Sequence, residues 1–444
     1  MNEWNWAGDG TVMLVGLLSA CACALPGNYL VLRKMSLMGD AISHAVLPGL
    51  AVAFLVSHSR EAVPMFIGAV AAGGLTALLT QAVHRFGKVE EGAAMGVIFS
   101  ILFAAGLILI RQATDHVDLD PGCVLYGNIE NIALVARIGE TPAAVINLAI
   151  VFVLNVLFVA LFYKELKICA FDPALATTLG INANVMHYAL MIIVAVTTVA
   201  SFEAVGSILV IAMLIVPPVT AHLLTDRLWV MIPLSLLIAA ATAVLGRVLV
   251  VFGPVWAGVE VSANTAALMA VLAGLFLFVA LFFAPEHGLI SRSYHRLALS
   301  LQIIREDILG LLYRWQELDV RRTRPAHRDD VLTAVGNTLI SRWALRSLLR
   351  RRQVQIEPPT KPGDEPQFRL SEKGLSAASR LVRAHRLWEA YLEKHFNLPL
   401  DHLHMPAERV EHYITPQMRD DLEADLVEPS RDPHGREIPE EDRP

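Results

Sequence analysis

Two ionisable side chains inside an apolar segment are the first candidates for chemistry in this chain. Asp40 and His44 stand four residues apart in GDAISHAVLPG, so they share one face of a helix. An ionisable residue within a membrane span costs roughly 2.5–3.5 kcal/mol on insertion scales, so two on one face need a reason. A carboxylate and an imidazole form half of a site suited to manganese, iron or zinc. The alternative is an Asp–His hydrogen bond that fixes neighbouring helices.

A third acid, Glu203, lies in SFEAVGSILV near the end of another apolar segment. It either completes a metal site from a second helix or faces water at the membrane boundary, and the sequence leaves both interpretations open. His222 and Arg247 also lie near the ends of apolar segments, where such side chains extend toward water or meet a partner protein.

Metal-ligand residue types recur near the C-terminus, at His385, Glu389, His404, Glu408, Glu411 and His412. In HMPAERVEHYI, Glu408 and His412 are four residues apart with Glu411 beside them, which predicts three ligands on one helical face. Carboxylate and imidazole without thiolate favour manganese or iron over a structural zinc site. The alternative is a surface helix with ordinary charge pairs.

An arginine-rich segment, LISRWALRSLLRRRQ, carries Arg342, Arg346 and Arg350 at helical spacing. Such a helix face fits DNA phosphates, anionic lipid or an ATPase subunit, or it is only solvated. The net charge of −6 argues against a simple nucleic-acid-binding protein, although a local basic patch is compatible with it.

The elements that carry these residues fall into two solvent classes. The 444 residues are 55% hydrophobic and only 18% charged, whereas soluble domains have about 25% charged residues. Apolar runs dominate from Thr11 to about Ala284, and Arg, Asp, Glu and His dominate from Arg292 onward. We therefore predict a transmembrane domain over 1–290 and an aqueous domain after it.

Nine apolar segments are each about as long as the ~20 residues that cross a bilayer. They are 11–32, 36–57, 62–83, 93–111, 141–163, 183–203, 205–224, 229–251 and 263–284. Pro26, Pro48 and Pro217–Pro218 suggest broken helices, so eight or nine spans are expected. Lys and Arg cluster in the loops of one side, opposite an acidic stretch near 115–120, which predicts a cell (inner) membrane protein whose C-terminal domain is cytoplasmic.

The aqueous part has the pattern of three helices, about 298–322, 328–336 and 338–352, followed by a hairpin and a closing SEKG. That order is typical of a winged helix, predicted over 298–376, before a helical domain over 377–444. These patterns predict an all-α polytopic membrane protein joined to a cytoplasmic domain that has a winged-helix part and a helical part.

Several motifs of the apolar part resemble the metal-uptake permeases of ABC importers. They are, in order, RKMSLMGDAISHAVLPGLAVAFL, EEGAAMGVIFSILFAAGLILI, DLDPGCVLYGNI, FDPALATTLGIN and EAVGSILVIAMLIVPPVTAHLL. The resemblance implies a metal path with Asp40 and His44 as ligands. It also implies an ATP-binding subunit, an extracytoplasmic metal-binding protein and a second permease subunit, identical or not, as partners. FDPALATTLGIN resembles the short coupling helix that docks on the ATPase, with Asp172, Pro173, Ala176 and Gly180.

No G-x-x-x-x-G-K-[ST] phosphate loop occurs in the sequence. The chain is therefore expected to transport without being an enzyme, while a separate subunit hydrolyses ATP.

The C-terminal part resembles the DtxR/MntR-type metal-dependent repressors. RLVRAHRLWEAYLEKHFNL, HMPAERVEHYITPQM and SRDPHGREIP match their metal-binding and dimerisation domain, and EDILGLLYRWQEL and FRLSEKG match the two ends of their winged helix. The resemblance implies His385, Glu408, Glu411 and His412 as metal ligands, with Glu389 and His404 at an ancillary site. Asp307 matches the N-terminal acidic ligand of the manganese-sensing branch, and Gly310 stands where that branch has its next acidic ligand.

The favoured interpretation is a permease subunit for a divalent metal, manganese or iron before zinc, with a cytoplasmic metal-sensing domain. The runner-up is a membrane-tethered, metal-dependent transcriptional regulator. The sequence leaves DNA binding open.

Overall fold

The computed structural model describes residues 4–6, 8–35, 38–57, 62–113, 129–130, 137–138, 141–257, 264–319, 327–357, 366–396, 398–427 and 429–440. The chain divides into two compact units, Met1–Arg292 and Ser293–Pro444. They are treated separately below as the N-terminal and the C-terminal unit.

Nine long apolar helices form the described part of the N-terminal unit. They are α1 (Asp9–Leu32), α2 (Met38–Ser57), α3 (Ala62–Gly87), α4 (Glu91–Ala113), α5 (Ala143–Leu161), α8 (Ala183–Val205), α9 (Ser207–Leu224), α10 (Leu228–Ala257) and α11 (Thr265–Phe283). Eight of them are long and apolar enough to cross a membrane, and α2 contributes the shorter apolar stretch Pro48–Ser57. A two-residue hairpin, β1 (Arg137–Ile138) with β2 (Thr141–Pro142), precedes α5. The described helices confirm a multi-pass membrane protein with the predicted eight or nine spans.

Prolines do not break these helices, contrary to the sequence-based expectation. Pro26 lies inside α1, Pro48 inside α2, and Pro217 and Pro218 inside α9, and each helix continues through them. Neighbouring helices and local adjustments satisfy the backbone groups that a proline frees in a membrane helix, so such prolines are tolerated there.

Buried amides join α1 to its neighbours. Asn28 Nδ2 donates to Ser235 Oγ on α10 at 2.8 Å. Asn155 Nδ2, on α5, donates to the Ala22 carbonyl at 2.9 Å and to Thr197 Oγ1 on α8 at 2.8 Å. Lipid offers such groups no hydrogen bonds, so these contacts hold the helices in one register.

Glycines bring two helix pairs into backbone contact. A Cβ on Gly27 would lie 2.1 Å from the carbonyl oxygen of Leu214 on α9, and a Cβ on Gly49 would lie 2.3 Å from the carbonyl oxygen of Gly68 on α3. Only glycine leaves room for these crossings of α1 with α9 and of α2 with α3.

A polar network ties the starts of α1 and α11 to the second half of α10. Arg247 of α10 pairs with Asp9, the first residue of α1, and its Nη1 donates to Thr265 Oγ1 at the start of α11, at 2.8 Å. The Thr265 backbone N–H donates to Glu130 Oε1 at 2.9 Å. Arg247, whose side chain is 12% exposed, is thus a structural partner rather than a side chain that extends to water.

Two short helices, α6 (Tyr163–Phe171) and α7 (Pro173–Thr178), lie between α5 and α8. Asp172 caps α7, because its Oδ1 accepts from the backbone N–H groups of Ala174 and Leu175 at 3.0 Å each. Gly180 follows with φ +83°, a left-handed conformation that favours glycine.

The C-terminal unit follows the helix, helix, helix, hairpin order that the sequence predicts. Its elements are α12 (Leu289–Asp319, in whose first turn the division falls), α13 (Arg328–Ala334), α14 (Leu339–Arg350), β3 (Val354–Glu357), β4 (Gln367–Leu370), α15 (Glu372–Phe396), α16 (His404–Val410) and α17 (Pro416–Leu426). The strands are antiparallel, with Val354 opposite Leu370. Two 3₁₀ turns, Leu400–His402 and Glu411–Tyr413, flank α16.

Two small apolar cores support this unit. Ile308 and Leu312 of α12 pack with α13, α14 and the hairpin. Leu387 of α15 packs with Leu422 of α17 and with Ile438. Because α15 belongs to both cores, its middle residues lie where the two meet.

Candidate metal centre

The sequence-predicted intramembrane pair lies in the first half of α2, where Asp40 and His44 are one helical turn apart. Glu203 lies in the last turn of α8, before Gly206. The side chains of these three residues are outside the part of the chain that the structure describes, as is the whole acidic stretch near 115–120.

A first cluster of ligand atoms forms where α15 meets the start of α16. His385 Nε2 lies 3.1 Å from Glu389 Oε1, one turn further along α15, and 2.9 Å from His404 Nδ1. His404 Nδ1 is also 3.1 Å from Glu389 Oε1. His434, from the C-terminal segment, approaches Glu389 Oε2 at 3.7 Å. We call these four residues the His385 cluster.

A second cluster forms between α12 and the 3₁₀ turn after α16. His412 Nδ1 lies 2.8 Å from Glu306 Oε2, and His412 Nε2 lies 3.1 Å from Asp307 Oδ1. Glu411 Oε1 is 3.9 Å from the same Nε2. We call these four residues the His412 cluster.

Glu411 connects the two clusters. Its carboxylate is only 1% exposed, and its Oε2 lies 2.5 Å from His385 Nδ1 while its Oε1 faces His412. Six of the seven C-terminal residues singled out from the sequence therefore belong to one connected group: Asp307, His385, Glu389, His404, Glu411 and His412.

Glu408 is the seventh, and the structure places it differently from the sequence pattern. The α-helix ends at Val410, and Glu411 and His412 lie in a 3₁₀ turn. The tighter turn changes the angular step per residue, so the expected single helical face is not formed. Glu408 is exposed, and the close groups of ligand atoms in the described part of the chain do not include it.

Sequence reasoning missed Glu306 and His434. Glu306 precedes Asp307 on α12, and its carboxylate contacts the His412 ring nitrogen that faces away from Asp307. Its position next to Asp307 in the sequence could have pointed to Glu306 as a member of the cluster. His434 lies in SRDPHGREIP, which was recognised as part of the repressor-like pattern without a ligand in it.

Buried charge contacts hold the His434 turn against α15. Asp432 Oδ1 accepts from the backbone N–H groups of His434 and Arg436 at 3.0 and 2.8 Å. Arg386, whose side chain is 2% exposed, makes two contacts with Glu317 at 2.6 and 3.2 Å and lies 3.5 Å from Asp432. This arginine therefore fixes the turn that carries His434.

The contacts within each cluster favour the protonated histidines and the ionised carboxylates. Burial alone would lower the pKa of His412, but hydrogen bonds to Asp307 and Glu306 and the charges of Asp307 and Glu411 raise that pKa to about 10. Burial would also lower the pKa of His385, but its hydrogen bonds to Glu389 and Glu411 outweigh that effect and raise the pKa. Burial would raise the pKa of Glu389, but its bonds with His385 and His404 lower it to about 2.

The donor atoms fit a divalent metal, because carboxylates and imidazoles, with His385, Glu389, Glu411 and His412 nearly inaccessible to solvent, lie close together. In the His412 cluster the converging donors are the carboxylates of Asp307 and Glu411 and the imidazole of His412, while Glu306 contacts the other ring nitrogen of His412. In the His385 cluster the converging donors are the imidazoles of His385 and His404 and the carboxylate of Glu389, and Glu389 also groups with Asp432 and His434. The two clusters therefore differ in their ratio of carboxylate to imidazole donors.

Metal binding at these clusters is expected to release protons and to tighten as the pH rises toward about 10, because a protonated imidazole cannot ligate. The stabilisation that His412 gives the metal-free unit is fully present below its ordinary pKa of 6.5 and is lost as the pH rises through about 10. Calorimetric titration of the chain with Mn²⁺ in two buffers of different ionisation enthalpy counts the protons. Binding without proton release would contradict the assignment.

A separate, exposed group lies in the N-terminal unit. His287 Nε2 lies 2.8 Å from Asp226 Oδ1, with Glu286 nearby, and Arg292 Nη2 is 3.1 Å from His287 Nδ1. The rings of His222 and His287 stack, with their centroids 6.3 Å apart. These contacts fasten the turn after α9 to the segment after α11.

The predicted coupling residues lie at the surface of the N-terminal unit. Asp172, Pro173 and Gly180 are exposed and Ala176 is buried. Leu175 and Leu179 of the same segment are exposed apolar side chains.

Comparisons with known proteins follow the division of the chain. Residues 10–284 match the model of the ABC 3 transport family, and residues 371–440 match the iron dependent repressor metal binding and dimerisation domain. The manganese transport system membrane protein MntD of Bacillus subtilis is 44% identical over 293 residues, which cover 65% of this chain and 96% of that protein.

Two further matches extend this picture. A protein of Chlamydia trachomatis described as a probable metal transport system membrane protein is 27% identical over 439 residues, 95% of this chain and 93% of its own length. Among solved structures, PsaBC from Streptococcus pneumoniae in complex with Fab aligns with a TM-score of 0.52 and 30% identity, over 63% of this chain and 92% of that chain. The first of these two matches extends across both units.

Proposed function

Because this chain belongs to the ABC 3 transport family, we propose that it is the membrane permease subunit of an importer for divalent metal ions. The observation that carries the proposal is the family match over 10–284, which coincides with the bundle of apolar helices. The same membership favours transport over a tethered transcriptional regulator. The manganese in the name of the Bacillus subtilis relative supports manganese as the cargo, with iron and zinc as the other candidates.

The cargo passes Asp40 and His44 on α2, with Glu203 of α8 as a further ligand. A carboxylate and an imidazole one helical turn apart offer a divalent cation oxygen and nitrogen ligands inside an apolar bundle. The basic loops face the cytoplasm of a cell whose inner membrane holds the protein, and so does the C-terminal unit.

Partners complete the importer. The sequence has no phosphate loop, so a separate ATP-binding subunit supplies the energy. It docks on α7, where a capped helix presents Leu175 and Leu179 to solvent. An extracytoplasmic metal-binding protein delivers the cargo, and a second permease subunit, the same or a different chain, closes the pathway.

The C-terminal unit senses the imported metal. Its two clusters draw ligands from α12, α15, the turn after α16 and the C-terminal segment. A metal bound there would join elements that belong to the two separate cores of the unit. It would stabilise the unit by an amount that grows with the logarithm of the metal's concentration over its dissociation constant. A rise in cytoplasmic metal would thereby increase the metal occupancy and the stability of the C-terminal unit.

Metal accumulation in cells that express this chain with its ATPase tests the proposal. The wild-type chain should raise manganese or iron, measured by mass spectrometry, above cells that express the ATPase alone. The double variant Leu175→Asp/Leu179→Asp should abolish both accumulation and stimulated ATP hydrolysis, because charge replaces the apolar docking surface.

Leu375→Asp/Leu398→Asp is the matched control, since it adds the same two negative charges at exposed leucines of the other unit. A Leu175→Asp/Leu179→Asp chain with full uptake would place the docking surface elsewhere. No accumulation of any divalent metal by the wild-type chain would refute the transport assignment.

A further inference from the structure

Helix α14 presents one continuous exposed stripe. Leu339, Arg342, Trp343, Arg346 and Arg350 recur at spacings of three and four residues, which places them on one side of the helix. Leu339 is 77% exposed and Trp343 is 63% exposed. The opposite side, with Ala344, Leu345 and Leu348, is buried in the core of the unit. We call the five exposed residues the α14 stripe.

The stripe is strongly and uniformly positive. The segment Leu339–Gln353 holds five arginines and no acidic residue. Arg342 is positioned by Asn337, whose Oδ1 accepts from Nε and Nη2 at 3.2 Å each. A cationic face of this kind attracts a surface that carries phosphate groups.

Two surfaces carry phosphate in this density, DNA and an anionic bilayer, and the residues between the arginines discriminate between them. A helix that reads the major groove places hydrogen-bonding side chains of its first turns against base edges. Here the exposed positions of the first turns, apart from Arg342, hold Leu339 and Trp343, an aliphatic and an aromatic side chain. Leucine and tryptophan beside arginine are the composition of helices that lie in the membrane interface.

We propose that the α14 stripe docks on the anionic lipid headgroups of the membrane that the same chain spans. Arg342, Arg346 and Arg350 contact lipid phosphates, while Trp343 and Leu339 enter the boundary between headgroups and acyl chains. The last span ends at Phe283, and α14 begins at Leu339 of the same chain. The tether keeps the stripe at high effective concentration near the bilayer, so a short helix suffices for binding.

Tryptophan quenching in the full-length protein tests this contact. The chain is reconstituted in nanodiscs of phosphatidylcholine alone or mixed with an equal amount of phosphatidylglycerol, and brominated lipids serve as the quencher. The difference between wild type and Trp343→Phe isolates one tryptophan of the seven. We expect brominated lipids to quench the Trp343 fluorescence, obtained as this difference, in the anionic discs but not in the neutral ones. High salt should remove the quenching.

Arginine variants supply the matched comparison. Arg346→Gln/Arg350→Gln should lose the quenching of Trp343, whereas Arg380→Gln, an exposed arginine on α15 outside the stripe, should keep it. Equal quenching in neutral and anionic discs, or none in either, would overturn the proposal. If duplex DNA shields Trp343 from a soluble quencher and anionic discs do not, the stripe is a DNA-binding surface instead.

Discussion

Asp40→Asn and His44→Gln are each expected to reduce metal uptake to the level of cells that lack the chain. Both substitutions keep a side chain of similar size that can hydrogen-bond, but Asn and Gln lack the charge or the nitrogen donor that a divalent cation requires. If the pair only fixed neighbouring helices, these variants would retain the hydrogen bond and transport normally. Uptake of radioactive manganese, together with copurification of the ATPase subunit, separates the two roles.

Glu90→Gln is the control for this experiment, since it removes an exposed carboxylate between α3 and α4. It should leave uptake and copurification unchanged. Normal uptake by either Asp40→Asn or His44→Gln would show that the metal path runs elsewhere in the bundle.

Glu411→Gln is expected to weaken metal binding at both C-terminal clusters together. The carboxylate lies between His385 and His412, and loss of a contact that supports a metal site typically costs about 10–100-fold in affinity. Removal of a ligand that serves two clusters should cost at least that much. Electron paramagnetic resonance of free Mn²⁺, titrated with the full-length protein, measures the number and affinity of the sites.

Two further variants decide which ligand set is correct. Glu408→Gln should cause a smaller loss than Glu411→Gln, because Glu408 is exposed and must reorient to reach a metal. Glu393→Gln, an exposed carboxylate on α15, should cause none. If Glu408→Gln weakened binding as much as Glu411→Gln, the ligand set implied by the repressor resemblance would hold, and metal would reshape the end of α16.

Local rules were enough to predict the helices of the membrane unit and the order of elements in the C-terminal unit. Lengths of apolar runs locate the spans, whereas the short helix α7 was expected only from the resemblance of FDPALATTLGIN to a coupling helix. The prediction that prolines break the helices was wrong. In a bundle, neighbouring helices help to satisfy the backbone groups that a proline frees, and local sequence rules do not take those neighbours into account.

In the metal centre, too, local spacing predicted some residues and missed those that tertiary packing brings in. His385 and Glu389 share a helix face at a spacing that can be read directly. Glu306 and His434 reach the clusters through tertiary packing, across 106 residues to His412 in the case of Glu306. The spacing of Glu408, Glu411 and His412 did not show that the α-helix ends at Val410 and a 3₁₀ turn follows, and the role of Glu408 as a ligand stays a prediction.

The glycine crossings have a consequence for how this protein can change over generations. At Gly27 and Gly49 one added methyl group would collide with a backbone carbonyl that has no alternative position. At Ile150 and Val153, exposed residues of α5, a whole side chain can be exchanged for another aliphatic one at little cost. In a saturation library the smallest chemical changes would therefore be the most harmful, and glycine-to-alanine clones at the crossings would disappear before leucine-to-phenylalanine clones on the lipid face.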